Sequence, residues 1–214
     1  MVYNLCMTTF KPFPKIPRYT SNIIVTEKID GTNASILITK NEGVENSFNM
    51  EACSKNRILS PGKDDNFGFA KWVEDNAYEL IKLGPGQHYG EWYGQGINRG
   101  YGLEERRFAL FNVNRWRIPE DNYKLAPGLP NCVEVVPVIG EGEYSDKNLE
   151  GLMAYLRRRG SYAVGDYMDP EGIILMHQRS KQLFKKTFDQ PKYTLSEMDK
   201  ELKKVLGDST DANL

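Results

Sequence analysis

Residues 26–33 read Thr26-Glu27-Lys28-Ile29-Asp30-Gly31-Thr32-Asn33, with one apolar run before them (Ile23, Ile24, Val25) and another after (Ile36, Leu37, Ile38). Apolar, β-branched runs on both sides predict two strands joined by a short turn, with Lys28 at the end of the first. A lysine kept only for solubility needs no such setting. A lysine that acts as a nucleophile needs rigid support and a lowered pKa. Lys28, beside Asp30 and Gly31, is therefore the first residue to test against the rest of the chain.

The chain has 214 residues, and 40% of them are hydrophobic, including three Trp, twelve Tyr and nine Phe. That is enough to fill a core. The formal net charge of −1 excludes a generally basic nucleic-acid binder, so any such contact must use a local face. Three widely spaced cysteines (Cys6, Cys53, Cys132) form no C-x-x-C pair and suggest a reducing compartment. With only two histidines, His88 and His177, a zinc site is not expected, and both read as ordinary hydrogen-bonding residues. No apolar run is long enough to span a bilayer, and no signal-peptide core is seen at the N-terminus. The expectation is a soluble, cytoplasmic protein, of a bacterial or phage-infected cell, without membrane partners.

Outward from Lys28, residues 10–19 carry three prolines and read as an extended lead-in. Residues 21–53 read as strands with a hairpin tip at 41–43. Residues 69–83 read as one helix with Phe69, Trp72, Val73, Leu80 and Leu83 on one face and Gly84 as its stop. Residues 88–113 are strand-like and aromatic, 118–131 a loop, and 132–139 another β run. A second helix is expected over about 146–159, with Leu149, Leu152, Met153 and Leu156 inward and Gly160 at its end. Residues 171–188 are strand-like again. Thr194 and Glu197 have the spacing of a capping box that opens a last helix. Strand runs broken by a few helices give an α+β domain with mainly antiparallel sheets. No linker forces a division, so residues 1–214 are expected to form a single domain with no separate C-terminal one.

Lys28-x-Asp30-Gly31 followed by Thr32 and Asn33 resembles motif I of the covalent nucleotidyltransferases, the ATP-dependent RNA and DNA ligases and the mRNA capping enzymes. Further segments resemble the rest of that set in chain order. Residues 53–58 (CSKNRI) are similar to the basic motif Ia of RNA ligases, in which either Lys55 or Arg57 suits phosphate; Arg57 is favoured because a guanidinium grips two oxygens at once. Residues 89–94 (YGEWYG) resemble motif III and carry Glu91. Residues 107–113 (RFALFNV) resemble motif IIIa and place Phe111 as the ring that stacks on adenine, with Asn112 where the nick-sealing branch often has Asp. Residues 170–175 (PEGIIL) resemble motif IV with Glu171. Residues 183–188 (LFKKTF) resemble motif V, with Lys185 as the matching lysine and Lys186 on the opposite strand face, off the usual Lys-x-Lys spacing. Residues 66–72 (NFGFAKW) also look like bacterial and phage RNA ligases.

The resemblance implies the nick-sealing, RNA ligase 2-like branch and an adenylyltransferase domain that is ATP-grasp-like, with antiparallel sheets flanked by helices. It implies ATP, with AMP carried on Lys28, and Mg²⁺ or Mn²⁺ as cofactors. The expected catalytic residues are Lys28, Asp30 and Lys185. Glu27, Lys28, Asn33, Arg57, Glu91, Phe111, Glu171 and Lys185 are expected to bind nucleotide; Lys55, Arg57 and Lys186 to bind substrate; Glu171 and Glu91 to hold metal. The implied substrate is RNA with 5′-phosphate and 3′-hydroxyl ends, including nicked duplex, engaged with help from an accessory protein. A DNA-ligase-type or capping-type enzyme, or a nucleotide- or RNA-binding module without turnover, stand as alternatives. The run Arg157–Arg159 at a helix end is compatible with RNA contact and equally with cations favoured by a helix C-terminus. The stretch from Gly94 to Gly100 is glycine-rich but lacks the G-x-G-x-x-G spacing.

Overall fold

The computed structural model describes residues 20–188, apart from 42, 44–46, 63–64 and 119–120, together with residues 12, 13, 15, 16 and 18. The expected last helix at 194–205 lies outside the described residues, as does most of the proline-rich lead-in.

The elements run β1 (Asn22–Lys28), β2 (Thr32–Lys40), β3 (Phe48–Ser54), α1 (Phe69–Asp75), α2 (Ala77–Leu80), β4 (Gly86–Gly94), β5 (Arg106–Leu110), α3 (Val113–Trp116), β6 (Arg117–Ile118), β7 (Asp121–Leu125), β8 (Glu134–Val135), β9 (Val138–Glu143), α4 (Asp146–Arg159), β10 (Gly172–His177) and β11 (Leu183–Thr187). Two sheets face each other. One has the order β11-β10-β1-β9, the other β3-β2-β4-β5-β8. Every pairing in them is antiparallel except β5 with β8. This is the α+β, antiparallel architecture that the strand runs predict.

Side-chain alternation sorts the layers. Val25, Ile173 and Leu175 turn outward from the first sheet and pack under Leu149, Met153 and Leu156 of α4. Ile24 turns the other way and joins Tyr93, Tyr101 and Ala109 between the sheets. Ala34, Ile36 and Ile38 on β2 face a third cluster with Phe69, Val73, Leu80 and Leu83. β1 is thus buried on both faces, which explains its uninterrupted apolar run. Where the space between the sheets is not filled by side chains, a cavity opens.

Helix α4 keeps the expected limits. Ser145 caps it by accepting the Asn148 N–H, and Gly160 (φ 85°) ends it. The helix expected over 69–83 is instead broken. Asn76 leaves helical geometry (φ −107°, ψ 10°), its side-chain amide donates to the Trp72 carbonyl, and the chain restarts as α2 and a 3₁₀ turn over Ile81–Leu83. Asparagine competes locally for backbone partners, so the apolar stripe continues across a break in the hydrogen-bond ladder. The β run over 132–139 is likewise split, into β8 and β9, around Val136 and Pro137.

Candidate active site

The cavity between the sheets has a volume of about 760 Å³, within the range that encloses a small ligand. Thr26 and Lys28 line it from β1, Ile174 and Met176 from β10, Asn33 from β2, and Tyr89 and Glu91 from β4. Phe111, just past β5, and Lys185 on β11 complete the wall. Six elements therefore meet here, and five of them contribute a motif residue: Lys28, Asn33, Glu91, Phe111 and Lys185.

Lys28 is the last residue of β1, opposite Gly172 of β10. Its Nζ forms an ion pair with Glu171, and the two side chains are only 23% and 15% exposed. Gly172 (φ 152°) passes so close to β11 that a Cβ would lie 2.2 Å from the Lys186 carbonyl oxygen. Only glycine lets β10 start this close to β11, directly after Glu171.

The turn after Lys28 is held on all sides. Asp30 N–H donates to the Tyr101 hydroxyl (2.7 Å), and Gly31 N–H donates to Glu91 Oε1 (3.1 Å). The Asp30 carboxylate accepts from Asn98 Nδ2 (2.9 Å) and from Arg99 (2.7 Å). Asn98 also donates to the Gly31 carbonyl at 2.6 Å. Arg99 reaches on to the carbonyl and carboxylate of Asp169, two residues before Glu171. A Cβ on Gly31 would stand 2.4 Å from the Trp92 carbonyl oxygen, so the turn is pressed onto β4. Asn98 (φ 44°) and Tyr101 (φ 54°) hold left-handed backbone, a strain offset by these bonds.

Burial pushes Glu91 up to about 7, against the opposing pull of Lys28 and the Gly31 N–H. Burial likewise raises the Tyr101 phenol, which stays neutral and able to accept from Asp30.

The other expected site residues lie in different settings. Glu27, named for nucleotide binding, is among the residues around the cavity, but its carboxylate turns to the α4 side of β1 and accepts from the Tyr162 (2.6 Å) and Ala163 (2.9 Å) N–H groups. It is 1% exposed, and burial raises its pKa. The reason is alternation: adjacent strand residues cannot face the same side. Asp30, named as catalytic, directs both carboxylate oxygens to Asn98 and Arg99 and positions the turn. Lys55 and Arg57 lie just past the end of β3. They sit in a tight turn closed by Ser54 N–H to the Arg57 carbonyl (2.8 Å), and it is Lys55 that lines the cavity. Lys186 faces away from Lys185, as strand alternation predicts, pairing with Ile173 of the α4 side.

Other residues carry no motif signal. Asn98, Arg99 and Tyr101 hold the Lys28 turn from a stretch whose only sequence mark is its glycines. Lys181, in the β10–β11 turn, adds a cation to the same wall as Lys185. Among the described residues no three His, Cys, Asp or Glu side chains converge on one point. A Mg²⁺-type ion carried by one or two carboxylates, phosphate oxygens and water needs no such cage, so Glu91 and Glu171 fit it.

A lysine buried against a carboxylate, facing an aromatic ring and two strand or turn cations across a nucleotide-sized cavity, defines a nucleotidyltransferase-like site. The RNA ligase family profile matches residues 21–188, and the chain belongs to that family. Solved structures with the same fold include a Naegleria gruberi RNA ligase variant with ATP and Mn (17% identity, TM-score 0.56, covering 79% of this chain and 50% of that one). Another variant of the same ligase, with AMP and Mn, gives 18% identity and a TM-score of 0.54, covering 78% and 49% of the two chains. The chain thus spans about half the length of these ligases. No curated protein sequence matches it. No helix among the described residues is long and apolar enough to cross a membrane.

Proposed function

We propose that this chain is the adenylylation unit of an ATP-dependent RNA ligase, with Lys28 as the nucleophile. The observation that carries the reading is the placement of Lys28, paired with Glu171, at a cavity lined by Glu91, Phe111 and Lys185. Lys28 Nζ attacks the α-phosphorus of ATP. A nitrogen–phosphorus bond forms, the α–β phosphoanhydride breaks, and pyrophosphate leaves. The amine must lose a proton, and the Glu171 carboxylate it touches is placed to receive it. Phe111, 39% exposed, offers its face to the adenine. Glu91 accepts from the ribose hydroxyls. Lys185, Lys181 and Lys55 draw the phosphates into register. Glu91 and Glu171 would hold a Mg²⁺ or Mn²⁺, which supplies charge neutralisation on the phosphates.

AMP then passes from Lys28 to the 5′-phosphate of an RNA strand. Attack by a 3′-hydroxyl on that activated phosphate joins the strands and releases AMP. Nicked duplex is the substrate geometry expected of the nick-sealing branch, and an accessory protein would aid its capture.

Intact mass spectrometry after incubation with ATP and Mg²⁺ tests the first step. One added AMP is expected on the wild type and none on Lys28→Ala. A wild-type mass unchanged by ATP would overturn the reading. ATP against GTP, then nicked RNA against nicked DNA, defines the nucleotide and the strand.

A further inference from the structure

We propose that the arginine-rich end of α4 is a binding surface for the RNA strand whose end enters the cavity; this rests on the ligase reading above. Arg157, Arg158 and Arg159 form the last turn of α4 and are all exposed. Cations at a helix C-terminus compensate its dipole, but that role needs no aromatic partners. Here each guanidinium lies over a different ring: Arg157 over Phe188 at 4.6 Å, Arg158 over Tyr155 at 5.6 Å and Arg159 over Tyr162 at 3.8 Å. Tyr155 and Tyr162 are 6.4 Å apart, so two of the stacks adjoin, and Tyr155 is 44% exposed.

Stacking fixes the plane of a guanidinium and leaves its N–H edge to donate to phosphate oxygens. An exposed ring beside such cations, here Tyr155, accepts bases with little regard to sequence. Together they match the chemistry of a strand with phosphates and unpaired bases.

The surface also adjoins the reaction centre. Phe188 N–H donates to the carbonyl of Glu171 (3.0 Å), the residue paired with Lys28. Tyr162 N–H donates to Glu27, the residue before Lys28. Lys186, turned to the α4 side of β11, adds a further cation on that side. The local balance agrees, since residues 151–192 hold eight Lys/Arg against four Asp/Glu in a chain of net charge −1. Phe188, bonded to Glu171 and lying under Arg157, links the surface to the end of β1 and β10 that holds Lys28.

The test uses the double variant Arg157→Gln/Arg158→Gln in the full chain. Arg159 is left intact because it also donates to the Ser161 carbonyl beside the Glu27 anchor. Lys28–AMP formation from ATP alone, and the thermal midpoint, are expected to match wild type. Affinity for a 5′-phosphorylated RNA 12-mer is expected to fall about tenfold, and the slope of log K against log salt to become shallower by about 0.7 per phosphate contact removed. AMP transfer to the 12-mer should slow to the same degree, while transfer to a phosphorylated dinucleotide, too short to reach the surface, should not. Unchanged affinity and salt slope would overturn the proposal, as would equal loss on the dinucleotide or loss of Lys28–AMP formation, since these mark a structural role. If the wild type takes up no AMP, the ligase reading fails, and the RNA affinities of the two proteins still decide this surface.

Discussion

Lys28 and Lys185 face the same cavity but are held in different ways. Lys28 is partly buried, paired with Glu171, and followed by a turn bonded to Tyr101, Asn98, Arg99 and Glu91. Lys185 projects from β11, the edge strand of its sheet, among exposed neighbours Leu183 and Phe184. The difference suits the roles proposed for the two lysines. A nucleophile must be held within a fraction of an ångström of its target, whereas a phosphate-attracting cation acts through a field that tolerates movement.

The comparison breaks outright at Lys28. Lys28→Ala should abolish adenylylation, read as loss of the AMP-adduct mass. Next comes the brace. Arg99→Ala removes the link between Asp30 and Asp169 and lets the loops that carry Lys28 and Glu171 drift; adenylylation should slow by about 10²-fold, with ATP binding little changed. Smaller still is the exposed wall. Lys185→Ala should slow adenylylation about tenfold, equivalent to about 1.4 kcal/mol. Added salt should shrink this defect, because the contribution is that of a solvated charge, whereas the Arg99→Ala defect should persist.

The smallest effect reports on burial itself. Glu91 sits at about 7 instead of its ordinary 4.5. Between those values the folded protein keeps a proton that the unfolded chain has released, so stability falls as pH rises from about 4.5 to about 7 and is level beyond. Glu91→Gln carries no such dependence. Over that window its thermal midpoint should gain a few degrees on wild type, and equal midpoints at all pH values would show that Glu91 is not held in a desolvated site.

Much of the fold was legible because local chemistry and tertiary demand agree. Ser145, the apolar stripe Leu149–Met153–Leu156 and Gly160 all specify α4, and nothing in the packing opposes them. Asn76 is the counterexample: the stripe over 69–83 is real, since Leu80 and Leu83 are fully buried, but periodicity does not register a ladder broken by one side-chain amide. Lys55 was ranked below Arg57 on hydrogen-bonding capacity, yet which of them lines the cavity depends on how a tight turn closes.

By itself the sequence determined which residue types were available and in what order: a lysine at a strand end, two glutamates beside glycines, an aromatic strand and a basic edge strand. Those follow from periods of two and 3.6 and from turn chemistry, which are local. Only the tertiary structure decided that Glu171 touches Lys28, that the Asp30 carboxylate meets Asn98 and Arg99, and that Arg157 lies over Phe188. Each of these joins residues distant along the chain or depends on how sheets stack, and strand register and sheet packing, not spacing, set such distances.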